Sequence, residues 1–338
     1  MPSPALSHIK IADPGWVGLR TIEVAHIVAS FAVNDAGRFS CFVPAKSGGK
    51  APDGNDYLGK WIIARFPCGI WGGTIEDAPV DLQRGTVELS CIGFGGMLQR
   101  VRTARTGVTQ IGQAGALVSR AMRDGQSDFF LPFGSVQCDE TGTNYQLQWR
   151  GDLVSTVISD MQRQSAQEWC VTVNDDRSIA FEWRWQCGQD LRASVLYSDA
   201  YHILGGRADR SLSGVVNDFL AVGNETDYKK AASVAVLDAA SINLYGRRQG
   251  AAVKIVGANA PSTLEPHARW MLAQLSSARQ PVTIPVRPDD RNAITVRPGD
   301  TTRLISSIAG KTWDFRIKAL SLDVDSGILT LAGDASDA

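Results

Sequence analysis

The chain has 338 residues, more than the roughly 250–300 at which a single hydrophobic core stops growing, so two or more domains are expected. Hydrophobic residues make up 44% and charged residues 20%, and no segment approaches the run of about 18 apolar residues that a membrane-spanning helix needs. A formal net charge of -1 argues against capture of nucleic acid or an anionic membrane by bulk electrostatics.

The opening residues, MPSPALSHIK, lack the charged and apolar regions of a signal peptide, so synthesis and folding in a cytoplasm are expected. From residue 15 to about 100 the pattern is β. GLRTIEVAHIVASFAV, GRFSCFVP, GKWIIARF, WGGTIEDAPVDL and GTVELSCIGFGGML are short runs rich in Val, Ile, Phe, Trp and Thr, separated by Gly, Pro, Asn and Asp. That texture belongs to a barrel or sandwich. Residues 46–59, KSGGKAPDGNDYLG, form a polar loop long enough to be either an interaction loop or a disordered tip.

Between about 104 and 205 the periodicity changes. Residues Thr109 to Arg123 set Ile111, Ala114, Leu117, Val118, Ala121 and Met122 on one helical face. A second helix is expected after Asp152, with Leu153, Val154, Val157, Ile158 and Met161 as its apolar stripe. WCVTVNDDRSIAFEWRWQ alternates on both sides of an Asn-Asp-Asp turn and reads as a hairpin. From Ser211 the β pattern returns in SGVVNDFLAVGN and ASVAVLDAASINLYG. Ser262 and Glu265 have capping-box spacing at the head of a helix whose stripe is Leu264, Ala268, Met271, Leu272 and Leu275. QPVTIPVRP, NAITVRPGDTTRLI, KTWDFRIKALSLDVD and GILTLAGD are then four strand-like runs. The chain thus divides into 1–104, 105–205 and 206–338: a β domain, an α+β insertion, and a second β domain with one capped helix.

One internal match stands out. WGGTIEDAPVDLQRGTVEL, from Trp71, aligns without gaps on WDFRIKALSLDVDSGILTL, from Trp313. Ile75 falls on Ile317, Asp81 on Asp323, Gly85 on Gly327 and Leu89 on Leu331. Each copy reads as a strand, a turn closed by glycine where positive φ is tolerated, and a returning strand. Hairpins share composition, so chance is the competing explanation. Duplication fits better, and the separation is too long for a solenoid repeat.

Nothing points to a catalytic or metal centre. The six cysteines, at 41, 68, 91, 138, 170 and 187, include no CxxC pair and read as buried thiols acting as small hydrophobes. His8, His26, His202 and His267 are isolated. GxSxG, HExxH, the phosphate-cradling GxxxxGK[ST] and GxGxxG are absent, and GFGG at 93–96 reads as a bulge or turn. Paired carboxylates at Glu76/Asp77, Asp175/Asp176, Asp289/Asp290 and Asp323/Asp325 offer the residue types of a glycosidase, but two of these pairs fall at hairpin turns, where Asp bonds to local backbone. Arg100, Arg102 and Arg105, and Arg247 with Arg248, are read as a polar subunit interface or the wall of a channel that DNA passes through.

NDFLAVGN, DAASINLYGRRQ, PVTIPVRP, ITVRPGDTTRL and the terminal TWDFRIKALSLDVDSGILTLAGD together resemble the tail hub, or tail-associated, proteins of long-tailed bacteriophages and their baseplate relatives. The resemblance covers about residues 205–335 and is weaker in the N-terminal part. It implies a mainly β fold of two tube-like β-barrel domains flanking a smaller mixed region. It also implies a homotrimer at the virion tail tip, with three chains presenting six quasi-equivalent barrels to a six-fold tail. The partners implied are a distal tail protein ring, the tape-measure protein and tail fibre or receptor-binding subunits, with DNA only as it passes through the channel. No enzyme activity, cofactor, metal or membrane anchor is expected. Many such proteins carry a hydrolase or receptor-binding extension, and with LAGDASDA following the hairpin none is expected here. Candidate interface residues are Arg247, Arg248 and Tyr57, with Trp71 and Trp313 as core or interface anchors in matching places. A distal tail or other tail-tip ring subunit is the alternative, ahead of a cell-wall hydrolase or carbohydrate-binding module.

Overall fold

The computed structural model describes residues 7–44, 53–103, 107–128, 131–140, 144–165, 167–208, 212–223, 231–255, 260–277, 280–287 and 296–337. Residues 46–52 of the 46–59 loop, the Asp289/Asp290 pair, Arg105 and the start of NAITVRPGD lie outside them.

The first β unit comprises β1 (Ser7–Asp13), β2 (Val17–Ala32), β3 (Arg38–Val43), β4 (Trp61–Phe66), β5 (Gly69–Asp77), β6 (Val80–Asp81) and β7 (Thr86–Gly93). Its strands run in the order β1-β4-β5-β7-β3-β2, and β1 also pairs with β2, so six strands close into a barrel. Alternation explains the interior. Phe39, Cys41 and Val43 of β3 and Val87, Leu89 and Cys91 of β7 point inward and meet Ile9, Ile11, Val24, Ile27 and Trp71. Side chains fill a barrel this small, leaving no pore through it. The β4 run WIIARF is apolar on both faces for a different reason. Ile62 and Ala64 face the barrel interior, while Trp61 and Ile63 face the insertion.

The insertion contains β8 (Val108–Gln113), α1 (Ala114–Asp128), β9 (Ser135–Cys138), β10 (Asn144–Trp149), α2 (Val154–Ser165), β11 (Glu168–Val173) and β12 (Ile179–Arg184). The expected hairpin forms, with Val173 opposite Ile179 across the Asn-Asp-Asp turn. The first helix starts later than its periodicity suggests. Thr109–Gln113 is a strand paired to β10, and Ile111 is exposed, whereas Leu117, Val118, Ala121 and Met122 are buried as expected. β-branched residues at 108, 109 and 111 favour the strand, and the apolar stripe begins only at Ala114. The insertion's core also contains Trp149, Trp183 and Phe181, and it rests on Trp61, Ile63 and Phe94 of the barrel's outer face.

The second β unit is built from β13 (Leu196–Ser198), β14 (Arg207–Ala208), β18 (Gln280–Val286), β19 (Thr301–Ser306), β20 (Lys311–Asp323) and β21 (Ile328–Asp337). Between β14 and β18 lies a small α/β unit of β15 (Asp218–Gly223), β16 (Ser233–Leu237), α3 (Ala239–Tyr245), β17 (Val253–Ile255) and α4 (Pro261–Leu275). Two helix starts in this unit differ from the sequence expectation. SINLY, expected to be β, is helical in α3, because the Asp238 carboxylate caps it by accepting from Ser241 N at 2.9 Å. Ser262 and Glu265 do not form a capping box. Pro261 occupies the first helical turn and moves the start to Ala260, and Glu265 pairs instead with Arg269 one turn on, at 2.7 Å. The stripe holds, with Leu264, Ala268 and Leu272 buried.

The internal match is a match of structure. β20 and β21 pair in the register of β5, β6 and β7: Val80 faces Val87 and Asp81 faces Thr86, while Leu322 faces Leu329 and Asp323 faces Ile328. Both hairpins carry a bulge at the same place, between Ile75 and Asp77 and between Ile317 and Ala319. The turns are also alike. Asp81 Oδ1 accepts from Gln83 N and Arg84 N, and Asp323 Oδ1 accepts from Asp325 N and Ser326 N. Gly85 and Gly327 have φ of 65° and 62°. Correspondence extends to the whole unit. In chain order, β1, β2, β3, β4, β5 and β7 occupy the sheet positions of β13, β14, β18, β19, β20 and β21. The units differ at their ends: β1 is antiparallel to β4, whereas β13 is parallel to β19 and does not pair with β14 among the described residues. Between the units, Val28–Ala32 of the long β2 pair with Ala319–Asp323 of β20, joining both into one sheet.

A Cβ at Gly327 would meet nothing within 4 Å, and Gly85 shares its left-handed φ, so the backbone conformation opposes a side chain at both turns. Gly85→Ala and Gly327→Ala are therefore expected to cost about 1–2 kcal/mol each, and nearly the same amount, in urea unfolding. Unequal costs would show that the two turns are not equivalent.

Candidate subunit-interface site

The GRRQ stretch after α3 is held by two adjacent polar residues at the start of β15. Asn217 is fully buried. Its Nδ2 donates to Gly246 O at 2.8 Å and Ser241 Oγ at 3.2 Å, and its Oδ1 accepts from Arg248 N at 2.6 Å. Asp218 Oδ2 accepts from Gln249 Nε2 at 2.7 Å and Arg247 Nε at 2.8 Å, and these bonds hold its carboxyl below the usual range. Gly246, with φ of 75°, ends the helix and turns the chain into this grip. The result is an Arg247 guanidinium that is tethered at one side and exposed at the other. Arg248 is half-buried and donates to Leu212 O at 3.4 Å.

One face of the β15–β17 sheet is covered by α4, with Phe219, Ala221, Val236 and Ile255 against Leu264, Ala268 and Leu272. Leu220 and Leu237 project from these strands away from that core and are exposed, as is Leu244 of α3. Three exposed leucines beside a tethered arginine are the composition of an interface: apolar contact with a fixed cation at the edge.

The other candidates lie inside the chain. Trp71 is buried, packs against Phe39 with ring centroids 5.1 Å apart and planes tilted by 32°, and donates to Ser30 O at 3.0 Å. Trp313 is buried in the core of the second unit, and Tyr57 is buried under the Arg20 guanidinium. These three side chains are core in the single chain, so only Arg247 and Arg248 of the five face solvent. Asn217 and Asp218 were not singled out from the sequence, although a polar pair inside the apolar run VVNDFLAV is the signal that marks them.

No group of three or more metal-ligating side chains occurs among the described residues. All six cysteines are free, and burial pushes the Cys68 and Cys138 thiols up to about 11, which makes them unreactive. No helix among the described residues is long and apolar enough to cross a membrane.

A polar cleft of about 500 Å3 lies where the insertion meets the second unit, lined by Asp190, Arg192, Thr301, Asp314 and Arg316 among others. Arg192 bonds Asp190 at 2.7 Å and Asp314 at 2.6 Å, and Arg316 bonds Glu168 at 2.5 Å. Its two arginines are thus engaged with carboxylates, and the cleft serves as a joint. Nearby, Asp199 accepts from Ser307 N at 3.0 Å, from the Ser306 and Ser307 hydroxyls at 2.8 Å each, and from Ile308 N at 3.2 Å. These bonds, the Ser307 amide foremost, hold the Asp199 carboxyl far below its usual range. A depressed folded pKa contributes stability above the unfolded value of about 3.9 and loses it as pH falls below that. Asp199→Asn is accordingly expected to be less stable than the parent at pH 7, the gap narrowing from about pH 4 downward; a constant gap in urea midpoints would refute this.

Neither a protein-family model nor a curated relative matches the sequence. Solved structures do match over almost the whole chain. The prophage tail protein gp18 of Listeria monocytogenes EGD-e superposes with a TM-score of 0.66 at 12% identity, covering 98% of this chain and 95% of that one. A tail protein from Neisseria meningitidis MC58 gives 0.66 at 13%, covering 98% and 97%. The 43 kDa tail protein of prophage MuSo2 from Shewanella oneidensis gives 0.64 at 10%, covering 98% of both. At these identities what is shared is the fold, and the fold of this chain is that of phage tail proteins.

Proposed function

We propose that this chain is a structural virion protein, the hub at the tip of a bacteriophage tail. Three copies form a ring in which each contributes two β units, so that six similar surfaces meet a six-fold tail tube. The observation that supports this is the duplicated unit itself: two six-strand arrangements in one chain, sharing strand order, hairpin register, bulge and turn. A ring of single-unit subunits would need no such duplication. Because side chains fill the barrel interior, any lumen lies between units, at the centre of the ring. Rings of this kind are built by head-to-tail contacts that close on rotation.

In this reading 1–104 is a barrel, 105–205 a mixed insertion that also carries β13 of the second β unit, and 206–338 the rest of that unit with its small α/β part. The Leu220–Leu237–Leu244 face with Arg247 and Arg248 is a contact surface toward a neighbouring tail subunit. The distal tail ring, the tape-measure protein and fibre or receptor-binding subunits are the partners, and DNA is met only in transit. Mass measurement and electron microscopy of the purified full chain test the reading. Three copies in a three-fold ring are expected; six copies would favour a distal tail ring subunit, and a monomer at all concentrations would sink the proposal.

A further inference from the structure

The contact between the two units inside one chain specifies a second contact that the chain cannot make with itself. A row of paired residues crosses the first unit from Ile75 to Cys91, Phe39 and Ala29. The matching row in the second unit is Ile317, Gly333, Val282 and Ala208. Ala208 therefore stands where Ala29 stands, and by the same registers Arg207 stands where Val28 does. In the first unit the row does not stop. Ala29 pairs onward with Leu322, and Val28 with Asp323, on the outer edge of β20. In the second unit the row ends at β14, which pairs only with β18 among the described residues.

The receiving edge also exists twice. Leu322, Asp323 and Val324 correspond to Val80, Asp81 and Leu82 through the hairpin repeat. The edge of Leu322–Val324 is occupied: β2 lies along it, Val324 N donates to Ile27 O at 3.0 Å, and Val324 is half-buried against the cores of both units. The edge of Val80–Leu82 carries no second strand among the described residues, and Leu82 is 91% exposed. A turn at 53–56 lies against Ala78, so the open stretch starts at Val80. An open strand edge with an exposed leucine is a template for pairing.

We propose that β14 of a second copy of this chain adds antiparallel to the Val80–Leu82 edge, Ala208 facing Val80 and Arg207 facing Asp81. The charges agree: where Val28 faces Asp323 inside the chain, arginine would face aspartate between chains, an opposite-charge cross-strand pair. Leu82 would be covered as Val324 is. Each chain offers one donor strand and one receiving edge, so the contact is head-to-tail and repeats the internal one. The inference rests on the ring reading above and gives that ring its joint.

The test is disulfide trapping in the full chain. Facing residues of an antiparallel pair have Cα atoms about 4.5–5.5 Å apart, within the roughly 4.4–6.8 Å that a disulfide spans. Val80→Cys with Ala208→Cys is expected to give a covalently closed trimer under mild oxidation, and either substitution alone none. The internal twin, Ala29→Cys with Leu322→Cys, reports folding by cross-linking within one chain. Leu82→Arg is a second reporter and is expected to weaken assembly at least tenfold. If the chain forms a three-fold ring, the twin closes, but Val80/Ala208 stays uncross-linked and Leu82→Arg assembles normally, the edge pairing is wrong and the ring reading stands. If the chain remains monomeric while the twin closes, the ring reading fails and takes the pairing with it.

Discussion

Arg316→Met is expected to destabilise the chain by about 2–4 kcal/mol, because it removes the cation that Glu168 pairs with at the joint between insertion and second unit. Arg316 Nη2 meets Glu168 Oε2 at 2.5 Å and Cys187 O at 3.3 Å, while Nη1 donates to Gly299 O at 2.8 Å. Both side chains are only 19% exposed. Without the guanidinium, Glu168 keeps only the Cys187 N–H, at 2.9 Å, and two backbone carbonyls lose a donor. The packing here leaves little room for adjustment. Gly299, with φ of 100°, and Gly188, with φ of 83°, touch so closely that a Cβ on either would collide with the other's backbone. Removing both charges, with Glu168→Met and Arg316→Met together, is expected to restore much of the loss, since a buried pair replaced by apolar groups is often neutral. Urea unfolding of the parent, the two single variants and the double checks this as a cycle. Additive losses would mean that the pair does not act as a pair.

That joint also marks where sequence reading stops. Glu168 and Arg316 are 148 residues apart, and nothing local in EWCVTV or DFRIK announces the pairing. The repeated hairpin was legible for the opposite reason. Its turn is built from short-range chemistry, an Asp bonding two backbone amides and a Gly at positive φ, and such requirements persist in the sequence. The other strands of the two units correspond only through their pairing, a backbone property that different side chains satisfy, so Ala29 and Ala208 could not be matched before the registers were known. A barrel or sandwich was readable from short runs rich in Val, Ile, Phe, Trp and Thr between Gly, Pro, Asn and Asp, but the packing of β4 on both faces was not. The start of α1 was not, because Ile111 continues the helical stripe in sequence while its backbone pairs with β10. The capping box at Ser262 failed because a proline one residue earlier had the stronger claim on the helix start.

The candidate interface offers the second large effect. Asn217→Ala is expected to cost about 1–3 kcal/mol, since it leaves Arg248 N, Gly246 O and the Ser241 hydroxyl short of a partner around a fully buried position. The loss should be local. Asn217 ties the end of α3 to the start of β15, and the remaining tether, Asp218 to Arg247 and Gln249, lies at the surface. Hydrogen exchange should therefore accelerate in residues 238–250 and leave the first barrel unchanged. Asn217→Asp separates shape from charge. It keeps the acceptor for Arg248 N but loses the two donated bonds, and should fall between parent and Ala variant. If Arg247 and the three leucines form a subunit contact, Asn217→Ala should also weaken assembly more than Arg247→Ala does. The first substitution releases the whole corner, whereas the second removes one exposed side chain and leaves its frame in place. Equal effects would instead place the contact in the guanidinium alone.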